Sequence, residues 1–173
     1  MISVGTEGRL SPALPVWKTV VLGRYRNHAE YIVNLGLVGF RMSASAIRIL
    51  AKTPIAKAET TVDLVRATVH QMGFPNGGTN AEIHVWVEGQ GFSKCPAEVG
   101  PALREQYPDQ PRGERICVGM EPTEDSFGHP SVFSVARGSR WFDFDKGLLL
   151  DTYRAGSKGL WHPEDTFVFA LKQ

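Results

Sequence analysis

The amino-acid sequence predicts an α+β domain in which a mixed N-terminal half, with short helices, leads into a C-terminal antiparallel β-sheet. Three observations carry this expectation: a β-branched run before Gly23, a series of capped apolar segments from Asn27 to Tyr107, and apolar alternation with a period of two from Glu114 onward. A chain of 173 residues can bury one core without disulfides or a structural metal. It reads as a loose arm over residues 1–15 followed by a single domain over 16–173.

The elements follow in chain order. Val16 to Leu22, bounded by Pro15 and Gly23, has strand composition. Asn27 offers a cap to a short helix through Leu35, and Ser43 or Ser45 to a second one that runs into Pro54. Thr60 to Met72 fits both periods, and its Val and Thr content favours a strand. Thr79-Asn80-Ala81-Glu82 is a capping box, in which hydroxyl and carboxylate satisfy each other's backbone donors, so a helix starts there and stops near Gly89 or Gly91. Cys95-Pro96-Ala97-Glu98 has the composition of another helix start, with Pro96 at the first helical position and Tyr107 near the end.

From Glu114 the apolar residues Ile116, Val118 and Met120 alternate with Arg115, Cys117 and Gly119, as in a strand with one core face. Further strands are expected at Ser131 to Val135, Arg140 to Phe144, Leu148 to Tyr153 and Thr166 to Leu171. Short connections between them favour an antiparallel meander.

The segment CPAEVGPALREQYPDQPRGERICVGMEP, Cys95 to Pro122, resembles a group of short bacterial proteins, many from environmental lineages, that share a CPAEVGPxLRxQYxDQPxGE-like core. The similarity extends from Val62 to the closing Phe167 to Leu171. What it implies is a bacterial origin and a shared fold. The group has no assigned activity, so no site residue is carried over from it.

Composition excludes several function classes. With 19 basic and 18 acidic side chains the net charge is +1, which supplies no general field for phosphate backbones or anionic lipid. No apolar run approaches the roughly 20 residues of a membrane span, and the N-terminus lacks a signal-peptide pattern, so a soluble cytoplasmic protein is expected. Cys95 and Cys117 read as free thiols of a reducing compartment. P-loop, HExxH, GxSxG and paired CxxC motifs do not occur, and the histidines are scattered without ligand spacing. Neither cofactor nor metal is expected.

The remaining chemistry lies in carboxylates and aromatic residues. If Ile116, Val118 and Met120 face the core, then Cys117 and Gly119 form a floor of small side chains that ends at Glu121, with Pro122 halting the ladder. Asp125 in the adjoining turn and Glu98 from the preceding helix are the second carboxylates that acid/base chemistry requires. Arg104, Tyr153, Trp141 and Trp161 are the candidate substrate contacts, the aromatic ones as flat walls with polar edges. The reading is a cofactor-independent hydrolase acting on a polar small molecule or saccharide. A non-catalytic domain binding a ligand or partner is the alternative. A third possibility is a regulator, because two helices followed by a hairpin have the order of a winged helix-turn-helix. The second helix carries Glu98 and Glu105 against Arg104 alone, which argues against nucleic acid.

Overall fold

The computed structural model describes residues 14–138, 147–155 and 159–172. In order, these form β1 (Lys18–Leu22), α1 (His28–Leu37), β2 (Arg41–Met42), α2 (Ala44–Ala51), β3 (Thr60–Thr68), β4 (Gly78–Thr79), α3 (Asn80–Gly89), β5 (Phe92–Ser93), α4 (Val99–Gln106), β6 (Arg115–Val118), β7 (Thr123–Glu124), β8 (Pro130–Arg137), β9 (Leu148–Arg154), β10 (Leu160–Trp161) and β11 (Thr166–Leu171). Helices and a large sheet make the α+β class plain.

Local chemistry explains the helix starts. Asn27 accepts from the Glu30 amide and Ser43 from the Ala46 amide, and the capping box at Thr79 and Glu82 is closed in both directions. α4 begins later than its sequence suggests, at Val99. Pro96 and Ala97 form a preceding turn in which the Val99 and Gly100 amides donate to their carbonyls. Cys95 is therefore not at a helix N-terminus. It bridges in parallel to Met120, and its amide donates to the Gly119 carbonyl.

The sheet corrects the expected topology. Its order is β1-β3-β11-β6-β8-β9-β2, with β5 paired to β11 and β7 to β8, so strands from both halves of the chain form one sheet. It is mixed rather than antiparallel, because β6 runs parallel to β11 and β2 parallel to β9. A second, two-stranded sheet joins β10 to β4. The expected strand Arg140 to Phe144 lies outside the described residues.

The winged-helix order is not realised either. β5 intervenes between α3 and α4, and α4 lies along the edge strand β1 instead of presenting a free face. The Gln106 side chain accepts from the Val21 amide and donates to the Val21 carbonyl, each at 2.8 Å, closing the exposed edge as another strand would. Arg104, the lone cation of that helix, is wholly buried. The core runs continuously from Val20 and Leu35 through Leu64, Leu103 and Val118 to Phe133 and Phe169.

Candidate functional site

Strand direction gathers distant parts of the chain at one end of the sheet. β3 is antiparallel to both β1 and β11, so Leu22 at the end of β1, Thr60 to Val62 at the start of β3, and Ala170 and Leu171 at the end of β11 come together. Pro54 to Ala56, Ser93 and Lys94, and Pro96 and Glu98 complete the walls of a cleft of about 520 Å³. The walls are mostly apolar, with a few polar groups, as is usual where a small molecule binds.

Glu98 is the buried acid of this cleft. Its Oε1 accepts from the Gly23 amide at 2.7 Å and from the Tyr31 hydroxyl at 2.6 Å, and its Oε2 accepts from the Ala56 amide at 2.8 Å. Three of the roughly four acceptor positions of a carboxylate are thus filled by the protein itself. The carboxyl group ties β1, α1 and the segment after α2 together, and so holds the Pro54 to Ala56 wall in place. Gly23 is required at this junction, since its φ is +75° and a Cβ would stand 2.3 Å from the Ala58 carbonyl oxygen. Burial first, and then the bond to Glu98, push the Tyr31 phenol well above its ordinary pKa.

At the rim, Lys94 Nζ is 2.6 Å from Glu121 Oε2. The Glu121 side chain is 78% exposed, and the hydrogen bond from Lys94 is the main reason that its carboxyl lies below the usual range. Lys94 and Ser93 also line a second depression of about 420 Å³ with His84, Glu88 and Lys172. Burial, then the nearby Lys94 charge, lower the His84 pKa, against the opposite pull of Glu121 and Glu88. Glu98 and Lys94 thus line the same cleft, while Glu121 lies outside its lining and meets it only through Lys94.

Asp125 stands apart in its own network. Its Oδ1 accepts from the Phe127 and His129 amides at 2.8 and 2.9 Å, its Oδ2 from the Ser131 hydroxyl at 3.4 Å, and Arg154 lies 3.8 Å away. The His129 amide is the largest of the influences that hold its pKa below the ordinary carboxylate value. This is the geometry of a residue that closes the turn between β7 and β8.

Arg104 does not reach the cleft. Its guanidinium donates to Gln110 Oε1 at 2.7 Å and to the carbonyls of Tyr107, Ala136 and Leu149. Burial lowers its pKa to about 10. It organises the interior where α4 meets β8 and β9. Trp161 is also interior, 4% exposed and covered by Tyr153 at a ring-centroid distance of 5.0 Å, so Tyr153 alone of this pair offers a face outward. Trp141 lies outside the described residues.

The expected open floor beside Glu121 is filled. Both faces of β6 are buried, and a Cβ on Gly119 would fall 2.2 Å from the Phe169 ring. Gly119 is small because an aromatic ring packs on it, leaving no room there for a ligand. The thiols share this enclosure. Cys95 donates to the Val168 carbonyl at 3.6 Å and its pKa is pushed up by burial, while Cys117 is pushed up to about 12, again chiefly by burial. Both are free thiols, and neither has the lowered pKa of a nucleophile.

Lys94, Thr60 and Tyr31 were not singled out from the sequence. A lone lysine between two small elements and a tyrosine on a helix carry no spacing signal that would have found them. Among the described residues, no group of three or more His, Cys, Asp and Glu side chains could hold a metal ion, and no helix is long and apolar enough to cross a membrane. No family model matches the chain, and neither the curated proteins nor the solved structures yield a match.

Proposed function

We propose that this chain is a binding domain for a small molecule with an apolar body and a polar end, taken into the cleft between the ends of β1, β3 and β11. The observation that carries the proposal is the cleft itself, about 520 Å³ with apolar walls, a buried carboxyl group at its base and a cation at its rim. Hydrolysis by paired carboxylates is less well supported. Glu98, Glu121 and Asp125 are bonded to different partners, Glu98 to Gly23, Tyr31 and Ala56, Glu121 to Lys94, and Asp125 to its own turn. An acid and base pair has to act on one substrate atom group from both sides. A saccharide platform is also less well supported, since Trp161 is covered by Tyr153.

The test is a fragment screen by amide NMR on the full chain. Hits should shift Ala56, Thr61, Ser93, Lys94 and Ala170 together, and Thr60→Trp, which places a large ring at the mouth, should abolish those shifts. Hits that map elsewhere would reject the cleft. Turnover of a hit that Glu121→Gln abolishes would restore the hydrolase reading.

A further inference from the structure

We infer that the molecule taken by this cleft is an apolar monocarboxylate, whose anionic end takes Lys94 from Glu121. The inference rests on the binding reading above and adds the chemical class of the ligand.

The argument begins with what the cleft offers. Among the described residues its lining contains one cation, Lys94, next in the chain to the hydroxyl-bearing Ser93, and the rest of the wall is dominated by aliphatic side chains such as Ile55, Val62 and Leu171. The Lys94 side chain is 37% exposed, so its stem is largely packed while its ammonium stays at the rim. A ligand with a long apolar part would bury that part on the walls, since apolar surface is driven from water. Its polar end would then lie beside Lys94.

The present partner of Lys94 is easily displaced. Glu121 is 78% exposed, and ion pairs of such exposure contribute little because water screens them. A carboxylate delivered by a ligand whose body is already buried meets Lys94 in a less hydrated setting, where a charge-assisted hydrogen bond is stronger than at the open surface. The ligand therefore wins the exchange, and Glu121 swings into water at little cost.

Charge decides for a monoanion over a phosphate. A dianion calls for several donors, typically an arginine fork or a run of backbone amides, and the described lining of the cleft presents a single ammonium. The Gly23 and Ala56 amides are already taken by Glu98. Glu98 in the lining and Glu121 on Lys94 further disfavour a second negative charge.

The experiment is a titration of the full chain with octanoate, octanamide and octyl phosphate, read through the amide shifts of Ser93, Lys94 and Ala170. Octanoate should bind the cleft, and octanamide should bind at least about tenfold more weakly, the loss expected from one charge-assisted hydrogen bond. Lys94→Met should lose octanoate by a similar factor while weakening octanamide far less, and Glu121→Gln, which removes the competitor, should tighten octanoate about two- to fivefold, the worth of an exposed ion pair. Equal binding of octanoate and octanamide, an unaltered Lys94→Met protein, or preference for octyl phosphate would overturn the inference while leaving the cleft as the binding site. A cleft that takes none of the three probes, yet binds neutral fragments, overturns it equally. If neither probes nor fragments enter the cleft, the binding reading falls with it.

Discussion

The ring of Phe169 on β11 lies directly against the α-carbon of Gly119, which follows β6, so close that a methyl group at Gly119 would stand 2.2 Å from the ring. Two parallel neighbours of the sheet are locked in register by this contact, and the amide of Gly119 donates to the Val168 carbonyl beside it. Gly119→Ala should therefore destabilise by about 1–3 kcal/mol through overpacking. Urea denaturation with an unchanged slope is the check, and wild-type stability would show that the ring has room to move.

Glu98 makes a second prediction sharper than a simple loss of charge. In Glu98→Gln the amide oxygen can still accept from Gly23 and Tyr31, but the NH₂ group then meets the Ala56 amide, donor against donor. A cost of about 1–3 kcal/mol is expected for that unsatisfied pair, against about 1 kcal/mol for Tyr31→Phe. The Ala56 amide resonance should move in the first variant and stay nearly still in the second. Equal stability of Glu98→Gln and wild type would contradict the role of Glu98 as the tie between these three segments.

The interior guanidinium supplies a third. Arg104→Leu would strip donors from Gln110 and from the carbonyls of Tyr107 and Ala136, three acceptors buried with it. At about 1–3 kcal/mol for each orphaned group, partly relieved by relaxation, the variant should lose at least about 3 kcal/mol and unfold at a markedly lower urea concentration. Arg104→Lys should recover part of the loss, because an ammonium still donates to some of these oxygens. A neutral Arg104→Leu substitution would mean that the carbonyls find other donors.

Stability should fall with acid, with a share from the lowered Glu121 carboxyl below 4.5 and two further steps that can be separated by substitution. The folded state depresses the His84 pKa below its ordinary 6.5, so the unfolded chain binds the proton more readily and stability declines as pH falls through that value. The Asp125 pKa is depressed below 3.8, so the stability it contributes is complete above that value and is lost as pH drops further toward its folded pKa. Urea midpoints measured against pH should lose the first step in His84→Gln and the second in Asp125→Asn, the latter retaining the amide bonds to Oδ1. A midpoint curve for Asp125→Asn that parallels the wild type below pH 3.8 would assign the acid loss to other groups.

Much of the local structure was legible in the amino-acid sequence because its physics acts over three or four residues. The Asn27, Ser43 and Thr79 caps each pair with a backbone amide three residues on, and the strand character of Thr60 to Thr68 is written in its β-branched composition. Glu98, Glu121 and Asp125 could be picked out as acids of interest, but their environments could not. The three donors to Glu98 come from 75, 67 and 42 residues away, Lys94 meets Glu121 across 27, and the parallel pairing of β6 with β11 joins strands with β7, β8, β9 and β10 between them in the chain. Alternation at Ile116, Val118 and Met120 could not reveal that the opposite face is covered too, because the covering ring belongs to Phe169. Sequence by itself determined the helices and longer strands to within a few residues, the caps at Asn27, Ser43 and Thr79, and the α+β class; tertiary structure alone decided the short pairing strands, which strands are parallel, which acids stand apart and where a cleft opens, since burial and charge pairing depend on neighbours that only the folded chain brings within reach.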